Sequence, residues 1–242
     1  MMMHSSSSFN AAIIRYSRYT GAPIRQQLVV FPHAGGTASF YKGWREQLPD
    51  DCDLFVVRYP GRDERHAENP WQDAQQAIEA CCRGLQEMLG IAPVTLFGHS
   101  MGAILALQTA LALRTSRFRL QKVVISSQRI PASLLNLQHE PQRQSLLSAI
   151  LRQDSGMALD ELTRPTVEKN ILQDLTLLGQ LAALPVDDIR LHVIGGNDDP
   201  LVSDSDLKAW TAISTSAQVS LRAGGHFYFQ QNTNDFLRQL IQ

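Results

Sequence analysis

The sequence predicts an α/β protein built on a mostly parallel, doubly wound sheet. Short apolar runs rich in Val, Ile, Leu and Phe recur along the 242 residues, and segments with helical periodicity separate most of them. Runs of this length and composition are typical of strands that are buried on both faces of a parallel sheet. Because strands and helices alternate, right-handed crossovers would place helices on both sides of that sheet.

The predicted elements follow one another along the chain. A polar, serine-rich start comes first, and we expect residues 1–12 to be disordered. The expected strands are residues 28–31, 54–57, 94–97, 123–125 and 191–194, with a weaker one at 219–221. The expected helices between and after them are residues 40–48, 71–89, 103–114, 205–213 and 234–241.

One long segment interrupts this alternation. From about residue 128 to residue 187 the pattern indicates helices at 142–153 and 167–183, but no strand. Such a segment is too long for a simple crossover, so we expect an inserted helical cap, or lid, over the carboxyl edge of the sheet. A hydrophobic content of 44% is enough to bury a sizeable core, and we expect residues 1–242 to form a single domain.

Composition and charge argue against several classes of function. The formal charge is −1, with 22 basic and 23 acidic residues and no long run of either sign, so neither a nucleic-acid surface nor an anionic membrane surface is indicated. No apolar run approaches the roughly 20 residues of a membrane span, and the start lacks the apolar stretch of a secretory signal. The cysteines show neither disulfide nor metal-ligand spacing. We expect a cytoplasmic monomer with no metal and no cofactor of its own.

A five-residue motif supplies a candidate nucleophile. Residues 98–102 read Gly-His-Ser-Met-Gly, which matches the G-x-S-x-G nucleophile elbow of the α/β-hydrolase fold. The motif follows the strand predicted at 94–97 and precedes the helix predicted at 103–114, which is the context that it requires. We therefore expect the hydroxyl of Ser100 to lie exposed above the sheet as a nucleophile, and His99 to pack beneath the turn.

Candidate partners follow in the order acid and then histidine, as this fold requires. The strand predicted at 191–194 leads into a loop that contains Asp198 and Asp199, and either carboxylate is a candidate acid. We favour Asp199, because Pro200 fixes the backbone there and leaves Asp198 free to face solvent. His226 is the favoured base, since it comes after the acid on a glycine-rich loop and just before the last predicted helix.

The loop after the first predicted strand supplies a candidate oxyanion hole. Residues 32–36 read Pro-His-Ala-Gly-Gly and are similar to the HGGG-type loop of this fold. We assign one donor to the backbone N–H of Ala34 and the other to that of Met101. With a nucleophile, a base, an acid and two oxyanion donors, we expect Ser100 to attack a carbonyl carbon and to form an acyl-serine intermediate. A thiol leaves readily because its pKa is about 8.5, so the apparatus suits a thioester.

Ordered motifs along most of the chain resemble type II thioesterases, the stand-alone editing enzymes of nonribosomal peptide and polyketide synthesis. The matching segments are residues 31–36, 39–41 with Trp44, 59–62 with Arg65, 98–103, 196–202 and 225–227, while residues 14–16 resemble the opening strand of that family. The resemblance implies a catalytic triad of Ser100, Asp199 and His226, with Ala34 and Met101 as the oxyanion hole. It also implies removal of misprimed or stalled acyl groups from the phosphopantetheine arm of acyl or peptidyl carrier proteins, in antibiotic or siderophore biosynthesis.

The cap departs from the pattern of that family. Many members carry a stretch similar to Leu-Arg-Ala-Asp-Phe, where residues 171–178 of this chain read Ile-Leu-Gln-Asp-Leu-Thr-Leu-Leu. The substrate-binding residues and the preferred acyl group are therefore left unassigned.

Other interpretations stay open at this point. The chain is also compatible with an ester or acyl-CoA hydrolase, with a chain-terminating thioesterase, and with a catalytically idle binding module of the same fold. A candidate docking surface for an acidic carrier protein consists of the arginines near one strand end and in or beside the cap, namely Arg58, Arg62, Arg65, Arg129, Arg143 and Arg152.

Overall fold

A seven-stranded sheet forms the centre of the part of the chain that the structure describes. The structure is a computed structural model, and it describes residues 12–17, 23–116, 118–152, 161–181 and 189–242. The strands are β1 (Ile13–Tyr16), β2 (Gln26–Phe31), β3 (Cys52–Val57), β4 (Val94–His99), β5 (Leu120–Ser126), β6 (Leu191–Gly196) and β7 (Gln218–Arg222). Their spatial order is β1-β3-β2-β4-β5-β6-β7, and every neighbouring pair is parallel except β1 and β3. This sheet confirms the predicted fold class.

Helices connect most of the strands. They are α1 (Ala38–Tyr41), α2 (Trp44–Gln47), α3 (Ala74–Met88), α4 (Met101–Ala112), α5 (Glu140–Leu151), α6 (Arg164–Leu178), α7 (Asp204–Lys208) and α8 (Thr233–Leu240). Short 3-10 helices lie at Asp63–Arg65, Pro131–Gln138, Ala209–Ala212 and Tyr228–Gln230.

Several helices differ from their predicted bounds, and two of the differences have a clear local reason. The helix predicted at 40–48 is divided into α1 and α2, and Gly43, a poor helix former, lies at the division. The helix predicted at 71–89 begins only at Ala74, because the side chain of Asp73 accepts a hydrogen bond of 2.7 Å from the N–H of Gln76 and caps the helix.

The order of the strands places the sequence motifs beside each other. From β2 the chain proceeds to β3 on one side and then returns to form β4 on the other side. The carboxyl ends of β2 and β4 therefore flank the point where the strand order reverses, which is the usual ligand site of an open parallel sheet. Phe31 at the end of β2 pairs with Gly98 in β4, so the loops that follow the two strands are neighbours.

The sheet is buried on both faces, as the apolar runs predict. Along β2, Val29 and Phe31 join the core that packs against α3, α4 and α6, whereas Leu28 and Val30 join the core beneath α1, α2 and α8. All four side chains are fully buried. Because adjacent residues of a strand point to opposite faces, an uninterrupted apolar run can fill two cores at once.

The segment between β5 and β6 is helical where the structure describes it. It contains the 3-10 helix Pro131–Gln138 together with α5 and α6, and the buried side chains of Leu134, Leu147 and Leu175 join the core on the α4 side. The limits of the expected cap, residues 128–187, and the expected disorder of residues 1–12 stay predictions, because residues 1–11, 153–160 and 182–188 lie outside the described ranges.

The described ranges contain neither a membrane-spanning helix nor a cluster of metal-ligating side chains. None of the helices there combines the length and the apolar character that crossing a bilayer requires. Within the same ranges, His, Cys, Asp and Glu side chains do not gather in groups of three or more that could hold a metal ion.

Close backbone packing fixes the start of α4 against the end of β2. A Cβ atom at Gly102 would lie 2.0 Å from the carbonyl oxygen of Phe31, and one at Gly98 would lie 2.2 Å from the carbonyl oxygen of Gly102. Neither neighbour is a side chain that could rotate away. Both glycines are therefore required by the fold of the turn around Ser100.

We predict that Gly102→Ala lowers the free energy of unfolding by about 3 kcal/mol, because the added methyl group must displace backbone atoms. Gly43→Ala is the matched control, since its Cβ would meet no atom within 4 Å, and it should change stability by less than about 1 kcal/mol. Urea denaturation of both variants measures the difference. Equal stabilities for the two variants would contradict the proposed packing constraint.

Candidate active site

Ser100 lies at the sharp junction between β4 and α4. Its backbone has φ 53° and ψ −124°, a conformation that non-glycine residues rarely adopt and that costs on the order of 1–3 kcal/mol. A hydrogen bond of 2.8 Å from the N–H of Ser100 to the carbonyl oxygen of Ser126 holds the turn in place. This is the strained strand-to-helix turn that the G-x-S-x-G motif predicts.

His226 is bonded to one of the two candidate acids. Its Nδ1 lies 2.8 Å from Oδ2 of Asp199, and the two side chains are 5% and 0% exposed. The other carboxylate oxygen of Asp199 accepts hydrogen bonds from the N–H groups of Leu201 at 2.8 Å and Val202 at 3.2 Å. Because both oxygens are held, the carboxylate fixes the orientation of the imidazole ring.

Asp198 lies on the same loop but does not reach the histidine. Its side chain is exposed, and its backbone N–H donates to the carbonyl oxygen of Gly224 at 3.0 Å. The adjacent Asn197 accepts a hydrogen bond of 3.0 Å from the N–H of Gly224. These bonds join the loops that carry Asp199 and His226, and the sequence alone did not indicate the part played by Asn197.

The two expected oxyanion donors lie on neighbouring loops. Ala34 follows β2 and Met101 is the first residue of α4, where the helix dipole favours negative charge. Neither backbone N–H donates a hydrogen bond to another group among the residues that the structure describes. Both groups are therefore available to a ligand.

Ser100 and His226 line one small cavity. Its volume is about 20 Å³, which holds little more than one water molecule. The rest of the lining is mostly apolar. The segment between β5 and β6 contributes Gln128, Arg129, Leu134, Leu146, Ile150, Leu175 and Leu178, and the loop after β6 contributes Leu201 and Val202. The described residues therefore leave little space beside Ser100 for an acyl chain.

Larger cavities lie elsewhere and contain none of the candidate catalytic residues. One of about 260 Å³ is lined by residues that include Arg15 and Asp53, and another of about 330 Å³ by residues that include Leu85 and Phe118. Size alone therefore does not mark the candidate site.

His99 packs beneath the turn. It is fully buried, its Nδ1 lies 3.0 Å from the hydroxyl oxygen of Ser126, and that oxygen lies 2.9 Å from the hydroxyl oxygen of Tyr228. The centres of the His99 and His226 rings are 4.7 Å apart. Burial, followed by the nearby His226 and His33, holds the pKa of His99 well below its usual range. His99 is therefore uncharged at neutral pH.

His33 is a second neutral histidine behind the site. Its Nδ1 lies 3.1 Å from the hydroxyl oxygen of Tyr41. Burial, with smaller contributions from His226 and Arg62, lowers the pKa of His33 to about 3. The sequence identified the loop that contains His33 but not the packing role of its imidazole.

The predicted arginine docking surface is wrong for three of its six members. Arg58, Arg62 and Arg65 are 6%, 5% and 9% exposed. The guanidinium of Arg62 pairs with Asp174 at 2.7 Å, and that of Arg65 pairs with Glu68 at 2.7 Å. These side chains are covered by the fold and bonded within it, so they cannot receive a partner protein in this state.

The buried histidines predict a loss of stability in acid. The unfolded chain binds protons at both positions below about pH 6.5, whereas folded His33 stays neutral down to about pH 3. The unfolded state then holds more protons, so the free energy of unfolding falls as the pH drops below 6.5. For one such histidine the expected loss from pH 7 to pH 5 is about 2 kcal/mol.

We therefore predict that His33→Asn reduces the pH dependence of the unfolding free energy between pH 7 and pH 5 by about 2 kcal/mol. His66→Asn, which alters an exposed histidine, is the control and should leave the dependence unchanged. Denaturant titrations at the two pH values give the comparison. A pH dependence in His33→Asn as large as that of the wild type would show that His33 is not held neutral.

Comparison with known proteins places this geometry in a family. A family model described as a thioesterase domain matches residues 26–242. The phenyloxazoline synthase MbtB of Mycobacterium tuberculosis is 30% identical over 237 residues, which include 92% of this chain but only 16% of the length of MbtB. The thioesterase PikA5 of Streptomyces venezuelae is 27% identical over 225 residues, which cover 88% of this chain and 79% of PikA5.

A solved structure agrees with these sequence matches. The type II thioesterase BorB from the borrelidin biosynthetic cluster superimposes with a TM-score of 0.78 at 26% identity, covering 95% of this chain and 96% of BorB. Because the family model matches residues 26–242, the chain belongs to the thioesterase domain family.

Proposed function

We propose that the chain is a serine thioesterase that hydrolyses acyl groups from the phosphopantetheine arm of carrier proteins. One observation carries this proposal, namely the 2.8 Å pairing of His226 with Asp199 at a cavity that Ser100 also lines. A strained serine, a histidine and an orienting carboxylate are the parts of a nucleophilic acyl-transfer site.

The proposed mechanism uses the residues of this chain and water. Nε2 of His226 accepts the proton of Ser100 as the serine oxygen attacks the thioester carbonyl carbon, while Asp199 holds Nδ1 and fixes the tautomer. The N–H groups of Ala34 and Met101 stabilise the developing oxyanion, each by about 3 kcal/mol. His226 gives that proton to the departing sulfur, which leaves as the thiol. It then takes a proton from the water that attacks the acyl-serine and returns it to the serine oxygen as the acid is released.

The lining of the cavity favours an acyl group as the ligand. The apolar side chains that line the cavity with Ser100 offer surface to a hydrocarbon or other uncharged acyl chain. The names of PikA5 and BorB, a thioesterase and a type II thioesterase, support the same chemistry.

The proposal includes a role in editing, which means removal of misprimed or stalled acyl groups. BorB is called a type II thioesterase, and this chain covers 96% of it, whereas MbtB is a synthase of which this chain matches 16%. The match to BorB favours removal of misprimed or stalled acyl groups in trans from acyl or peptidyl carrier proteins. The match to MbtB keeps release of a finished product as the second candidate function.

The first experiment loads one carrier protein with acetyl, propionyl, malonyl, aminoacyl and longer acyl groups and measures acid release. We expect hydrolysis of several short groups, with Ser100→Ala slower by about 10⁴-fold or more. The same acyl groups on CoA and as oxygen esters are the comparison substrates. Preference for oxygen esters, or turnover of one long acyl group alone, would contradict an editing thioesterase.

A second prediction separates the two neighbouring carboxylates. Asp199→Asn should lower kcat by about 10⁴-fold, because the amide no longer fixes the tautomer of His226. Asp198→Asn, which alters an exposed carboxylate on the same loop, should retain activity within about threefold. Steady-state hydrolysis of one acyl-carrier thioester by both variants provides the measurement. The reverse ranking would show that Asp198 is the catalytic acid.

A further inference from the structure

A buried ion pair joins the helix α6 to the body of the protein. Asp174 lies in this helix, and its two carboxylate oxygens accept hydrogen bonds of 2.8 and 2.7 Å from the two terminal nitrogens of Arg62. The side chains are 8% and 4% exposed. Burial alone would lower the pKa of Arg62, but the adjacent carboxylate outweighs it and the pKa is raised. The guanidinium of Arg62 is therefore charged.

The same pair holds the peptide groups that follow Ala34. Oδ2 of Asp174 accepts a hydrogen bond of 2.8 Å from the N–H of Gly35, and Arg62 donates one of 3.1 Å to the carbonyl oxygen of Gly36. Gly35 has φ +76°, a conformation that favours glycine. The loop after β2 thus depends on a carboxylate that arrives 139 positions later in the chain.

Close packing adds to these hydrogen bonds. A Cβ atom at Gly35 would lie 2.5 Å from Cγ1 of Ile171, which is one turn before Asp174 in α6. The helix is therefore seated directly on the loop, without room for a side chain between them. Any displacement of α6 would release the Gly35 N–H and the guanidinium together.

We propose that Asp174 is a positioning residue that holds the Ala34 N–H in place for the oxyanion, so that the oxyanion hole is complete only while α6 is seated. The inference rests on the proposed acyl-serine chemistry. Asp174 does not touch the reacting atoms. It holds the peptide group between Ala34 and Gly35, and the orientation of that group is coupled to the orientation of the donor one residue earlier.

The charge balance of the pair supports a positioning role. A lone carboxylate near the oxyanion would repel it, but Arg62 neutralises Asp174 through two parallel hydrogen bonds. The pair can then orient the loop without adding net negative charge beside the reaction centre. Removal of either partner leaves the other buried and unpaired, which is strongly destabilising.

The test compares two variants with one control. Asp174→Asn keeps the shape of the side chain, and the double variant Arg62→Met with Asp174→Leu replaces the ion pair by apolar side chains without leaving a lone charge. Glu168→Gln is the control, because it removes a carboxylate from a partly exposed pair with Arg164 on the same helix. Thermal unfolding shows whether each variant is folded at the assay temperature.

We expect both test variants to lower kcat by about 10²-fold, the effect of losing one oxyanion donor, with KM within threefold. A boronic acid that adds to Ser100 engages the oxyanion hole, so its affinity should fall by a similar factor. Affinity for an unreactive thioether analogue of the substrate should stay within threefold. Glu168→Gln should match the wild type in every measurement.

Two results would overturn the inference. One is a folded double variant with wild-type kcat, and the other is equal loss of affinity for the boronic acid and the thioether, which would indicate a collapsed cavity. The boronic acid reports on Ser100 whatever acyl group is the substrate. Failure of the wild type to hydrolyse any acyl-carrier thioester, together with boronic acid binding that depends on Asp174, would therefore reject the proposed function and leave the positioning role intact.

Discussion

The candidate site depends on the close approach of two backbones, the end of β2 and the start of α4. Contact at this distance requires Gly102, because any side chain there would meet the carbonyl oxygen of Phe31. The approach brings the loop with Ala34 beside the first N–H groups of α4, and it holds Ser100 at a positive φ angle. The main chain thus sets the position of the nucleophile, whereas the loop with Ala34 is also bonded by the side chain of Asp174 in α6.

Behind this backbone contact lies a polar layer that is neutral rather than charged. His99, Ser126 and Tyr228 are linked by hydrogen bonds beneath the turn, and burial raises the pKa of Tyr228 and lowers that of His99. A neutral layer can support His226 without competing for its proton. Arg62 and Asp174, which are also buried, meet as an ion pair at 2.7 Å.

Local signals explain what the sequence predicted, and distant contacts explain what it did not. The strands, the turn at Ser100 and the loop of His226 are each marked by neighbouring residues. Asp199, which Pro200 favours as the acid, lies 2.8 Å from His226. The burial of Arg62 depends on Asp174, which is 112 positions away. Residues 171–178 depart from the pattern of that family. The sequence did not indicate that Asp174, which lies among them, accepts a hydrogen bond from the loop after β2.

The small volume of the cavity affects how the measured affinity for an acyl group relates to its fit. With about 20 Å³ beside Ser100, an acyl group that needs more room than the described lining leaves can bind only the fraction of molecules in which that lining is open. The apparent dissociation constant then equals the intrinsic constant divided by that fraction. A change in the cap that favours opening would tighten binding without adding a contact, so affinities of different acyl groups measure the population of the open state as well as the fit of the chain.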